Sequence, residues 1–182
     1  LYEKPFETIS TRPGMAERTL VIKSFSKSYA MTGWRIGYCY GPQALISQML
    51  KVVNYSTACA SSIGQRAAIA ALELDPSIIE QMKTRFEARI ELVYNRLKTM
   101  RGVRVFRPKG SFYIFVDISR LTMQSRKFAI QLVEQNKVVV VPGYAFGASG
   151  EGCFRIACTQ SRLILEQALN RIEEFVECYK EV

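Results

Sequence analysis

Lys27 stands in a hydroxyl-rich run, "SFSKSYAMTGWRIGY" (residues 24–38), with Arg35 eight positions further on. A lysine amine becomes a useful nucleophile when desolvation or a nearby cation lowers its pKa. The usual partner of such a lysine is an aldehyde cofactor, held as a Schiff base. If that aldehyde carries a phosphate, Ser24, Ser26 and the fork of Arg35 are of the right types to hold it. The bland alternative is a solvated surface lysine, and a serine–lysine pair alone does not separate the two.

A second candidate is Arg155 in "GCFRIACT". Strand alternation sends Phe154 and Ile156 to one side and Cys153, Arg155 and Ala157 to the other. A guanidinium among such small, largely apolar neighbours needs an anion, either a ligand carboxylate or a structural partner such as Glu151. Other chemistries are closed off. The chain has no histidine, so Ser-His-Asp and Cys-His nucleophiles and histidine-based zinc sites are excluded within it. The five cysteines form no CxxC pair, which fits a reduced, cytoplasmic setting.

These residues need elements to carry them. "TLVIKSF" (19–25) and "WRIGYCYG" (34–41) read as strands joined by the turn that carries Lys27, with the lysine at the end of a buried strand. Pro42 opens a helix whose Leu45, Met49 and Val52 share a face, and residues 61–74 form a second, alanine-rich helix. Asp75 and Pro76 cap and start a third helix, with Ile79, Met82, Phe86, Ile90, Val93, Leu97 and Met100 in one apolar stripe. Beyond Gly102 come the strand-like runs "VRVF", "SFYIFVDI", "KVVVVPG" and "GCFRIACT", with a helix at "SRKFAIQLVEQN" between the second and third. A last helix, 161–179, is capped by Ser161 and buries Leu165, Leu169, Ile172, Val176 and Tyr179. The expected architecture is α/β: part of a large domain over residues 1–74, then a connecting helix and a small α+β domain over 75–182.

The chain is 48% hydrophobic and 23% charged, and no apolar run approaches the ~20 residues of a membrane span. Its net charge of +9 is spread, with eight basic against four acidic residues in 1–74 and seventeen against twelve thereafter. The local concentration from Arg85 to Lys109 reads as the solvated face of a helix and its exit, the alternative being a surface for an anionic partner. Neither nucleic acid nor membrane is expected as a partner.

The whole string from Ser24 to Tyr38 resembles the pyridoxal-phosphate lysine motif of the class I aminotransferases, the fold-type-I family that includes aspartate and aromatic aminotransferases. Serine stands three before the lysine, followed by tyrosine, alanine, methionine, "TGWRIG" and the arginine eight after. The resemblance continues through "PSIIEQMKTRFEARIELVYNRL", "PKGSFYIFVDI", "VVVVPGYAFGASGEGCFRIACT" and the last helix. It covers essentially the whole chain, as the C-terminal half of such an enzyme, and places residues 1–74 in its large cofactor-binding domain. It implies that Lys27 forms an aldimine with pyridoxal 5'-phosphate and shuttles a proton at the substrate α-carbon. Ser24 and Arg35 would bind the cofactor phosphate, with Ser26 a weaker candidate, and Arg155 would clamp the substrate α-carboxylate. The implied reaction moves an amino group from an α-amino acid to a 2-oxo acid, in a homodimer. "PGYAFGASGEG" is then either an ordinary loop or a mobile flap over the substrate, and the resemblance favours the flap. Phe112 and Tyr113 are core or pocket wall, while Tyr29 and Trp34 pack around the lysine turn.

The family also supplies a carboxylate for the pyridine nitrogen, a partner for the ring hydroxyl, an aromatic over the ring and a glycine-rich turn at the phosphate, all before the lysine segment. Only 26 residues precede Lys27, and the opening "LYEKPFETIS" resembles the segment just after the family's acidic-aromatic motif. The two aspartates, Asp75 and Asp117, fall at helix-cap and strand-end positions. The chain alone is therefore expected to be catalytically crippled, and residues 1–74 to expose surface that a larger domain would cover. Two other functions share the motif. One is a carbon–sulfur β-lyase, which diverges only after proton abstraction, and the other is an aminotransferase-like ligand sensor fused to a DNA-binding domain.

Overall fold

The computed structural model describes residues 2–3 and 5–179. The chain divides into two compact units, Pro5–Gln81 and a second that runs from Met82 onward and takes in the described residues 2–3.

In the first unit, β1 (Val21–Ser24) and β2 (Gly37–Tyr40) pair antiparallel, Val21 opposite Tyr40 and Ser24 opposite Gly37. Their close approach requires the glycine: a Cβ on Gly37 would lie 2.7 Å from the Lys23 carbonyl oxygen. Between them lies α1 (Phe25–Ser28), a single helical turn, and after them α2 (Gln43–Ser56) and α3 (Ser62–Leu72). The buried cluster is small, made of Phe25, Met31, Ile36, Ala68 and Ala71. On α3 the buried positions are Gly64, Ala68 and Ala71, so the alanine-rich helix meets its neighbours through its smallest side chains.

Two expectations fail in this unit. β1 is not a buried strand: Ile22 is 73% exposed, because the described sheet here has only two strands and no layer of the unit covers its outer side. The apolar face of α2 is not buried either: Leu45 and Val52 are exposed and Met49 is half-buried, and none of the helix is fully buried. Residues 5–81 therefore display the uncovered apolar surface anticipated for this part of the chain.

The long helix α4 (Pro76–Leu97) contains the division between the units. Its apolar stripe is buried only in its later turns, at Ile90, Val93 and Leu97, with Met100 continuing the line. β3 (Arg104–Val105), β4 (Tyr113–Asp117), β5 (Val141–Pro142) and β6 (Cys153–Ala157) form an antiparallel sheet in the order β3-β4-β6-β5. α5 (Ser125–Asn136) and α6 (Arg162–Cys178) complete the unit. Alternation along β4 and β6 puts Ile114, Val116 and Phe154 into a core shared with Phe128, Leu132, Leu169 and Ile172 from the helices. Phe128 stacks on Phe154 at 5.4 Å and meets Phe175 edge-on at 5.1 Å. The strand expected over "KVVVVPG" shortens to two residues; Val138 and Val140 are buried while Val139 is 81% exposed, and Pro142 has no amide to extend the ladder.

The basic concentration between Arg85 and Lys109 is neutralised in part within the unit, at three of its residues. Arg96 pairs with Glu173 at 2.7 Å, Arg104 with Asp117, and Arg107 with both Glu91 and Glu3. The Tyr2 amide donates to the Lys109 carbonyl at 3.0 Å, so residues 2–3 are fastened beside β4. No described helix is long and apolar enough to cross a membrane, and no metal-ligand cluster exists among the described residues.

Candidate functional site

β1 ends at Ser24, whose hydroxyl accepts from the Ser26 amide at 3.2 Å and caps α1. In one turn of helix only part of the circumference can face inward. Phe25 and Ser26 take that side and are buried, which leaves Lys27 and Ser28 exposed. The Phe25 amide donates to the Ile36 carbonyl at 3.3 Å and ties the turn to the start of β2. Tyr29 packs on Phe25 at 5.3 Å, as expected of a residue around the lysine turn, whereas Trp34 is 48% exposed and seals nothing.

Arg35 has left-handed backbone (φ 52°), and its Nη1 donates to the Thr32 carbonyl at 2.7 Å. This kink returns the chain to β1, so that Ser24, Ser26 and Arg35 line one open depression of about 390 Å³, with Ile36, Gly37 and Tyr38. The three residues proposed from types and spacing as phosphate ligands are thus gathered at one place. Lys27 does not line that depression; it projects from the exposed side of α1 next to it. The donor set of two hydroxyls and a guanidinium fits a phosphate ester.

In the other unit, Arg155 lies on β6 opposite Phe115 of β4 and Val141 of β5. It occupies the sheet face turned away from the helices. Its guanidinium rests against the Tyr113 ring at 4.1 Å and the Phe146 ring at 4.8 Å, and Phe146 meets Phe115 edge-on at 5.7 Å. Nε of Arg155 is buried with no hydrogen-bond partner. Glu151, the structural partner weighed for it, is engaged elsewhere: it accepts from the Ser125 hydroxyl at 2.7 Å and the Ser125 amide at 3.0 Å. Those hydrogen bonds hold the Glu151 carboxyl below its ordinary range. Among the described residues no carboxylate pairs with Arg155. A cation against two rings with an unpaired buried donor is set up to receive an anion.

The aromatic surroundings of Arg155 were not visible along β6 itself. Tyr113 and Phe115 come from the neighbouring strand, and Phe146 from the glycine-rich segment 143–150. The one signal was a pair of aromatics, Tyr144 and Phe146, in a loop otherwise made of small residues. Phe112 packs against Phe86 at 5.4 Å and Tyr113 at 4.4 Å, a wall position.

The aspartates are both committed. Asp75 accepts from the Ser77 amide at 2.8 Å at the start of α4, and Asp117 accepts from Ser119 at 2.9 Å while paired with Arg104.

The profile for "Aminotransferase class I and II" matches residues 2–172. The chain is 44% identical over 163 residues to the aspartate aminotransferase of Pyrococcus horikoshii, covering 88% of this chain and 42% of that protein. It is 38% identical to aromatic-amino-acid aminotransferase 2 of Thermococcus litoralis, covering 93% of this chain and 44% of that one. The solved aspartate aminotransferase of Rhizobium meliloti superposes with a TM-score of 0.92 at 34% identity, over 99% of this chain and 47% of the other. The chain therefore spans under half the length of these relatives, and its α/β fold matches part of theirs.

Proposed function

Because the chain belongs to the class I and II aminotransferases, we propose that it forms the lysine-bearing, C-terminal half of a pyridoxal-phosphate-dependent enzyme. That enzyme moves an amino group from an α-amino acid to a 2-oxo acid. The observation that carries the reading is Arg155: a guanidinium with a buried, unpaired Nε and no carboxylate of its own chain calls for a carboxylate from outside. The relatives' names, aspartate and aromatic-amino-acid aminotransferase, supply the substrate class.

When bound, pyridoxal phosphate supplies an electron sink for the pair left at the substrate α-carbon. Ser24 and Arg35 would hold its phosphate in the depression they line, with Ser26 alongside. Lys27 would hold the cofactor through its amine and, with that amine free again, would move a proton at the substrate α-carbon. Arg155 receives the α-carboxylate in its fork and so fixes which α-substituent is presented for deprotonation. With Asp75 capping α4 and Asp117 paired to Arg104, neither is available to hold a protonated ring nitrogen. We infer that turnover requires residues outside this sequence, in a homodimer of the longer protein. The five free cysteines support a cytoplasmic setting.

The test is borohydride reduction of the longer protein after incubation with pyridoxal phosphate, followed by peptide mapping. A pyridoxyl mass addition on the Lys27 peptide, absent in Lys27→Ala, is the expected result. Turnover of an amino acid should require a 2-oxo acid acceptor. Absence of the adduct, or release of ammonia and pyruvate without an acceptor, would refute the assignment.

A further inference from the structure

Ser125 and Glu151 take no part in the roles assigned above, yet they meet at the base of the segment that carries Phe146. Ser125 is fully buried at the start of α5. Its hydroxyl donates to Glu151 Oε2 at 2.7 Å and accepts from the Tyr144 amide at 3.2 Å, while its amide donates to the same carboxylate oxygen at 3.0 Å. One buried serine thus joins both ends of the 143–150 segment to a helix. The neck between those ends is closed backbone against backbone: a Cβ on Gly143 would lie 1.9 Å from the Gly150 carbonyl oxygen, and one on Gly150 2.1 Å from that of Gly143. Inside the loop, the Gly147 amide donates to the Tyr144 carbonyl at 3.0 Å and the Gly150 amide to the Gly147 carbonyl at 2.9 Å. The segment expected as a mobile flap is fastened at its base. Its reach toward β4 and β6 is made by Phe146, whose ring contacts Phe115 and the Arg155 guanidinium.

We propose that Ser125 and Glu151 are positioning residues for Arg155: they fix the neck of the 143–150 loop to α5 and thereby hold Phe146 against the guanidinium. The held ring confines Arg155 to one orientation and shields part of it from water, so an arriving carboxylate meets a pre-set fork instead of a free rotor. The statement about carboxylate binding rests on the function proposed for Arg155; the positioning itself does not.

The experiment follows the Arg155 Nε–H resonance in the ¹⁵N-labelled 182-residue chain, assigned by its disappearance in Arg155→Lys. Lying against two aromatic rings, this resonance should be displaced from its free-arginine position. Phe146→Leu should return much of that displacement. Glu151→Ala and Ser125→Ala should return a similar share, although neither side chain touches Arg155. Glu151→Gln, which keeps an acceptor for Ser125, should preserve most of the displacement, a rescue that general loosening of the unit would not give. A displacement that survives in both Glu151→Ala and Ser125→Ala overturns the proposal, and so does one that Phe146→Leu leaves unchanged. Should Glu151→Ala fail to fold, Ser125→Ala decides alone by the same criterion. The readout needs neither cofactor nor turnover, so a negative adduct test at Lys27 leaves it interpretable.

Discussion

Phe128 joins α5 to the strand that carries Arg155, and its removal has a calculable cost. The side chain is fully buried, stacked on Phe154 at 5.4 Å and edge-on to Phe175 at 5.1 Å, with Tyr179 at 5.3 Å. Truncation to alanine removes apolar surface and leaves a cavity, together worth about 3–5 kcal/mol. Each lost aromatic pair adds about 0.5–1.5 kcal/mol beyond area, which places Phe128→Ala in the upper part of that range, at about 4.5 kcal/mol. For a unit of this size the urea dependence is about 1.5 kcal/mol per molar, so the midpoint should fall by roughly 2–3 M. The assay is urea unfolding followed by tyrosine near-UV circular dichroism. The only tryptophan, Trp34, belongs to the other unit, so its fluorescence reports that unit separately. Phe128→Leu, which retains most of the volume, should cost no more than about 1.5 kcal/mol. A loss below about 1 kcal/mol for Phe128→Ala would show that the aromatic cluster is not the keystone of this core, and the reasoning would fail.

Further outcomes follow from other parts of the chain. Burial pushes the Cys158 thiol up to about 12, so Ellman's reagent at pH 8 should modify exposed Cys59 and Cys178 rapidly and Cys158 only after denaturation; early labelling of Cys158 would contradict its burial. Asp75, held down by the Ser77 amide, and Glu151, held down by Ser125, both have carboxyl pKa values below the ordinary range. Their contribution is therefore complete above the unfolded carboxylate pKa of about 4 and is lost as pH falls through the lower folded values. Melting temperature should be level from pH 7 to about 5 and decline below 4, and a constant value down to pH 3 would count against both hydrogen bonds. Gly37→Ala forces a Cβ onto the Lys23 carbonyl and should destabilise the Trp34-reported unit by about 1–3 kcal/mol, read as an earlier fluorescence transition. An unchanged transition would mean that β1 and β2 are not held in the described register.

Much of the fold was legible because its signals are local. The apolar spacing of α5 and α6 and the Ser161 cap require only neighbours in sequence to be read, and the structure has α5 at Ser125–Asn136 and α6 at Arg162–Cys178. The gathering of Ser24, Ser26 and Arg35 was legible for a similar reason, since one tight turn must return the chain. Burial of β1 and α2 was not, because an apolar pattern states that a face is to be covered but not which chain segment covers it. The surroundings of Arg155 depend on strand register, which brings in Tyr113 and Phe115 from about 40 positions away. Likewise the neutralisation of Arg96 and Arg107 is a long-range property, made by Glu173 and Glu3.

The fastening of residues 2–3 to the unit that otherwise begins at Met82 has a consequence for how the chain folds. The Tyr2 hydroxyl meets the Ser111 carbonyl across 109 positions, and Arg107 meets Glu3 across 104. Pro5–Gln81 is therefore an excursion that leaves one unit and returns to it. Closing so long a loop carries an entropic cost that grows with the logarithm of its length, and contacts of such separation form late. The sheet and helices beyond Met82 should assemble first, and the clasp made by residues 2–3 should close last, shortening the free length of everything between its ends. A break in the backbone anywhere within Pro5–Gln81 would convert that closure into a bimolecular event, dependent on concentration where the intact chain is not.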